Sequence, residues 1–163
     1  MPGERKQKPW RMPPRVKIYE ALGAIADGRV ELDAQDGGGR VGSSSGDKTY
    51  TVEVGADGRE IAANDNASYW QGYLGYPAIA MLIARGLHAP DPSVLDALKG
   101  IAWKTINRRN RNDWERTVAE VEQDAREKGF DVDLIRTEAD AILAALSALA
   151  PYRTRRLRPP AES

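Results

Sequence analysis

The sequence predicts an α+β fold: an N-terminal helix, a small antiparallel sheet of three or four strands, then about four helices ending in a helical hairpin. Three observations carry this. Apolar residues recur at three- and four-residue spacing in residues 15–27, short alternating runs separated by Gly and Asp turns fill residues 29–62, and helical spacing returns from residue 76 to residue 149. The order of helix, strands and helices, with no strand–helix alternation, argues for an antiparallel sheet.

The chain begins with a segment rich in Pro, Lys and Arg, residues 1–14, which lacks periodicity and is expected to be a disordered basic tail. Pro14 opens a helix over Arg15–Asp27, with Val16, Ile18, Tyr19, Leu22 and Ile25 on its apolar side and Gly28 as its stop. Strands are expected over Arg29–Ala34, Arg40–Ser44, Lys48–Val54 and Arg59–Ala62. Ser45-Gly46-Asp47 and Ala56-Asp57-Gly58 serve as turns. Tyr76–Gly86 reads as a strongly apolar helix with Pro77 at an early position. Asp91-Pro92 supplies the N-cap and first residue of a helix running to about Arg108. Asn112-Asp113-Trp114-Glu115 resembles a capping box, with Asn in place of Ser or Thr, before a helix that ends at Lys128 and Gly129. Asp131–Leu149 completes the hairpin, with Ile135, Ala139, Ile142, Leu146 and Leu149 on one stripe. Residues 15–150 thus read as one domain, 15–88 a helix–sheet–helix part and 91–150 a helical part, with 151–163 a second basic tail.

Composition narrows the function classes. The 163-residue chain is 41% apolar, enough for a sizeable core. Its zero net charge is a cancellation: residues 1–17 sum to +5 and residues 151–163 to +3, which leaves −8 between them. Basic ends on an acidic body suit tails that touch phosphate or that fold back on that body. Cysteine is absent, which excludes disulfides, thiolate metal sites and cysteine catalysis. No apolar run approaches the roughly 20 residues of a membrane span, and the charged start lacks the apolar stretch of a secretory signal. The cytoplasm is the expected location, and no membrane partner is expected.

Between Asp27 and Leu87 a specific order of elements appears. A strand opening Asp27-Gly28-Arg29-Val30 precedes Val41-Gly-Ser-Ser-Ser-Gly46, then Tyr50-Thr51-Val52, a polar turn and an apolar helix. This order resembles the SWIM zinc-finger family, in which a similar strand pair precedes a Cys-x-Cys and a Cys-x-His begins the closing helix. The ligand pairs would fall near Ala63–Asp65 and Gly75–Pro77, and none of the four is present; His88 lies too far along to substitute. The resemblance implies a metal-free ββα frame, with DNA or protein binding as the family's proposed activity and no cofactor.

Two constellations stand out as binding candidates. All five Asn fall in two clusters, Asn64 with Asn66 and Asn107 with Asn110 and Asn112, and Trp70, Trp103 and Trp114 lie in or beside them. Asn64, Asp65 and Asn66 present amides and a carboxylate beside the flat faces of Tyr69, Trp70 and Tyr73. Sites for bases, sugars or peptides are commonly built this way. The plainer role of such residues is to make turns and caps, with Tyr and Trp burying apolar area. The second constellation is Lys104, Asn107, Arg108, Arg109 and Arg111, with no acid between Asp96 and Asp113. Interleaved with Trp103, these residues suit phosphate and base contacts; favourable cations at a helix C-terminus are the plainer account.

Catalytic signatures are weak. His88 has no recognisable partner, Ser43-Ser44-Ser45-Gly46 is a turn between strands, and Gly37-Gly38-Gly39 is not followed by a helix. Asp65 with Asn64 or Asn66 offers a hard cation one carboxylate, which is too few. The expected function is therefore a non-enzymatic binding or adaptor domain contacting nucleic acid through the basic-aromatic patch. Protein–protein contact or self-association through the last helix, and an enzyme or sensor holding a small polar ligand at residues 64–76, stay open beside it.

Overall fold

The computed structural model describes residues 6–160; residues 1–5 and 161–163, the outermost parts of both expected tails, lie outside them. The chain enters through β1 (Lys8–Pro9) and turns at Pro13 and Pro14 into α1 (Arg15–Ala26). Every residue from Val16 to Ala24 is buried. The expected amphipathic helix is therefore a central one, packed against by helices on several sides, and Lys17 and Glu20, the charged residues of that buried stretch, must find partners inside the protein.

The β-rich stretch forms β2 (Val30–Leu32), β3 (Gly39–Gly42), β4 (Thr49–Val54) and β5 (Ile61–Ala63), an antiparallel meander in chain order. Val41 lies opposite Tyr50 and Val52 opposite Ala63. Val41, Val52, Ile61 and Ala63 are buried, and α2 (Tyr76–Leu82) packs across these strands. Pro77 stands in the first turn of α2, where its missing N–H has no partner to lose. A π-helical turn, Ile83–Leu87, extends α2 toward His88.

The expected helix from Asp91 to Arg108 is two helices, α3 (Pro92–Leu98) and α4 (Trp103–Arg109). Lys99 turns extended and Gly100 adopts φ 74°, a left-handed conformation that favours glycine, while Asp27 accepts a hydrogen bond from the Gly100 N–H at 2.8 Å. Asp91 caps α3 as expected, accepting from Ser93 N. The cap of α5 (Trp114–Glu127) is Asp113 and not Asn112, which sits at φ 61°. Asp131 caps α6 (Val132–Leu149), and Glu122 on α5 pairs with Arg136 on α6 across the hairpin. Ile135, Ala139, Ile142 and Leu146 are buried and Leu149 is half-buried against the same core, so the stripe of α6 packs on the core of its own chain.

The segments expected as disordered tails are docked where the structure describes them. After α6 the chain forms β6 (Tyr152–Arg153), which pairs antiparallel with β1. Trp10, 5% exposed, donates its indole N–H to the Ile61 carbonyl at 3.1 Å. Arg155 pairs with Glu53 and Thr154 bonds Glu60, so the basic segment lies along the acidic edge of β4 and β5. Of the two alternatives for a basic end on an acidic body, the fold realises the second: it folds back. Among the described residues, no helix is long and apolar enough to cross a membrane.

Candidate functional site

A groove of about 1030 Å³ opens where the two Asn/Trp clusters come together. One wall is the turn after β5, carrying Asn66, Trp70 and Tyr73; the opposite wall is α4 and its exit, carrying Lys104, Asn107, Arg108 and Asn112. Trp103, Trp114 and Tyr76 line it from the helices, Tyr50, Ser44 and Lys48 from β4 and the turn before it, and Met12 from the entering segment. The two constellations, some forty residues apart in sequence, are thus faces of one groove.

The turn wall is rigid. Residues 67–71 make a π-helical turn ended by Gly72 at φ 72°. Beneath it, the buried Asp65 carboxylate accepts from the Ser68 hydroxyl at 2.6 Å and the Ser68 N–H at 3.1 Å. Ser68 Oγ in turn accepts from Gly75 N at 3.1 Å. Burial raises the Asp65 carboxyl above its ordinary range, and the bonds from Ser68 oppose that rise. Asn64 accepts from Thr51 N at 2.8 Å and so lengthens the β4–β5 pairing by one residue. Tyr69 packs edge-on against Trp70 at 4.7 Å and lies under the Arg156 guanidinium at 4.2 Å. Of the six residues expected to bind a ligand here, Asn66, Trp70 and Tyr73 face the groove. Asn64, Asp65 and Tyr69 serve the turn itself and do not converge on the cavity.

The basic wall is also divided. Lys104 lines the groove and pairs with Asp47 at 2.7 Å, an interaction that, with bonds from Ser45 and Ser43, holds the Asp47 carboxyl well below its usual range. Arg108 lines the groove without an ion-pair partner among the described residues. Arg109 pairs with Glu120, and Asn110 is buried against Thr117 and Glu120. Helix α4 stops at Arg109 and Arg111 turns to φ 51°, so Arg111 leaves the helix that carries Lys104 and Arg108 and does not line the groove.

The floor comes from α1, which the sequence patterning did not mark as part of a site. Lys17 donates to Glu20 at 3.2 Å, and Glu20 accepts from Asn107 Nδ2 at 2.6 Å. The Lys17 ammonium also lies 4.3 Å from the centre of the Trp114 ring, a cation–π contact. Opposite charges three residues apart, Lys17 and Glu20, set among the apolar residues of α1 were the available signal, since such a pair inside a protein needs a specific reason. Asn107 Oδ1 is enclosed with no hydrogen-bond partner among the described residues.

Fold and groove together define a small α+β domain with an aromatic groove edged by cations. Residues 10–152 match the family described as uncharacterised conserved protein UCP014422, and the chain belongs to that family. No curated protein and no solved structure matches the chain.

Proposed function

We propose that this protein is a binding domain that contacts nucleic acid through the groove between the Asn66–Tyr73 turn and α4. The observation that carries this reading is the convergence of the two Asn/Trp clusters on one cavity. Flat rings offer faces to bases, Lys48 and Arg108 offer charge to phosphates, and Asn66 and Asn112 offer amides able to donate and accept. Of the acidic groups nearby, Glu20 is held by Lys17 and Asn107 and Asp47 by Lys104, which leaves Lys48 and Arg108 without an acidic partner among the described residues.

The SWIM-like order of elements supports the same class, DNA or protein binding being that family's proposed activity. On this reading the chain carries a metal-free version of the ββα frame. The residues present do not fit zinc: both Asp65 oxygens are engaged by Ser68, and Gly75 and Pro77 bear no ligand atom. The Asp65–Ser68–Gly75 hydrogen bonds join the two ends of the turn that a metal would join.

The test is a binding panel of single- and double-stranded DNA and RNA at low and rising salt. Binding should weaken as salt rises, and Arg108→Glu should weaken it further and flatten the salt dependence by about one unit of slope. Absence of any binding at low salt would rule the reading out.

A further inference from the structure

We infer that the groove takes unpaired bases of a single strand, with Trp70 as the stacking platform at its mouth; this deepens the nucleic-acid reading and rests on it. Trp70 is 68% exposed, whereas Trp10 and Trp103 are 5% and 3% exposed. Leaving so large an apolar ring in water forgoes the gain of burying it, and here the ring stands at the rim of a groove lined by other aromatic residues.

The exposure does not come from a loose loop. The turn bearing Trp70 is pinned from below by Asp65, Ser68 and Gly75, and from the side by the Tyr69 ring. Both chain ends clamp it: Arg156 bonds the Tyr69 carbonyl, and Arg11 bonds the Gln71 carbonyl at 2.5 Å. A flat aromatic face is thus held out to solvent at the edge of a groove edged by cations. Such a face can stack on a base whose own faces are open, and in a duplex the neighbouring pairs already cover them. An acidic peptide would satisfy Lys48 and Arg108 but would leave the Trp70 face without a matching partner.

The experiment uses the full chain and labelled short oligonucleotides of equal length: a single strand with bases, an abasic strand carrying the same phosphates, and a duplex. A poly-glutamate competitor is included. The base-bearing strand should bind tightest and quench tryptophan fluorescence, and Trp70→Ala should weaken it roughly ten- to hundredfold while leaving abasic-strand binding nearly unchanged. Trp70→Phe, which keeps a smaller ring, should fall between. Because Trp70 is exposed, the melting temperature should hold in both variants, so lost binding cannot be mistaken for lost folding. Abasic or duplex binding as tight as that of the base-bearing strand, poly-glutamate competing equally, or an unaffected Trp70→Ala variant each overturns the inference while leaving salt-dependent binding intact. Absence of binding to every nucleic acid overturns the nucleic-acid reading along with it.

Discussion

At the scale of single residues, the informative positions are those where one side chain serves two elements. Gly75 has an ordinary φ of −75°, so its lack of a side chain answers crowding rather than backbone strain. A methyl there would overlap the Asp65 carboxylate, whose own bonds hold the turn bearing Trp70. Gly75→Ala should therefore destabilise the protein by about 1–3 kcal/mol, read from the shift in urea midpoint. A wild-type midpoint would mean that Asp65 does not sit against α2. Caps were the most legible features at this scale. Asp91 followed by Pro92 announces itself because its side chain acts on backbone two residues away. Asn112 against Asp113 was a contest between adjacent cap formers, and the left-handed φ of Asn112, set by the tight exit from α4, decided it for Asp113.

At the scale of elements, the meander was legible because alternation and turn residues are both local. The break between α3 and α4 was not. Glycine is tolerated inside a helix at about 1 kcal/mol, so Gly100 reads as helical until Asp27 claims its N–H. The C-terminal strand shows the same dependence on distant groups. Asp57 accepts a 2.5 Å hydrogen bond from the Tyr152 hydroxyl and further bonds from the N–H groups of Arg59 and Glu60, which hold its pKa near about 2. An aspartate in the unfolded chain titrates near about 3.9. The folded group is the stronger acid, so its contribution is present above about pH 4 and is lost as pH falls toward about 2. Thermal unfolding across that window should show a falling melting temperature in the wild type and a shallower fall in Asp57→Asn. Equal slopes would show that Tyr152 is not docked there.

For the whole molecule, closure depends on both ends meeting over the sheet. The β1–β6 pair brings Trp10 onto Ile61, so a residue from a stretch that reads as a solvated tail becomes part of the core. Trp10→Ala should cost about 3–5 kcal/mol, the range for a large buried aromatic, and calorimetry should show a markedly lower melting temperature. A change under about 1 kcal/mol would show that the entering segment is only loosely attached. The same closure brings Arg11 and Arg156 to the Trp70 turn, which links the folding of the ends to the state of the groove. About half the groove could be named from the chain, since aromatic and amide clusters are visible as composition. Lys17 and Glu20 could not, because they lie in a helix whose pattern speaks only of burial.

By itself the sequence determined the α+β class, the order of helices and strands, the absence of thiol chemistry, and the two clusters that carry the site. These depend on residue type and on spacings within one or two turns, where neighbouring backbone sets the answer. Only the tertiary structure decided that both clusters face one groove, that α1 is central and supplies its floor, and that the C-terminal basic segment lies against Glu53 and Glu60. Those outcomes turn on contacts between residues tens of positions apart, such as Asn107 with Glu20 and Trp10 with Ile61, which no local pattern encodes.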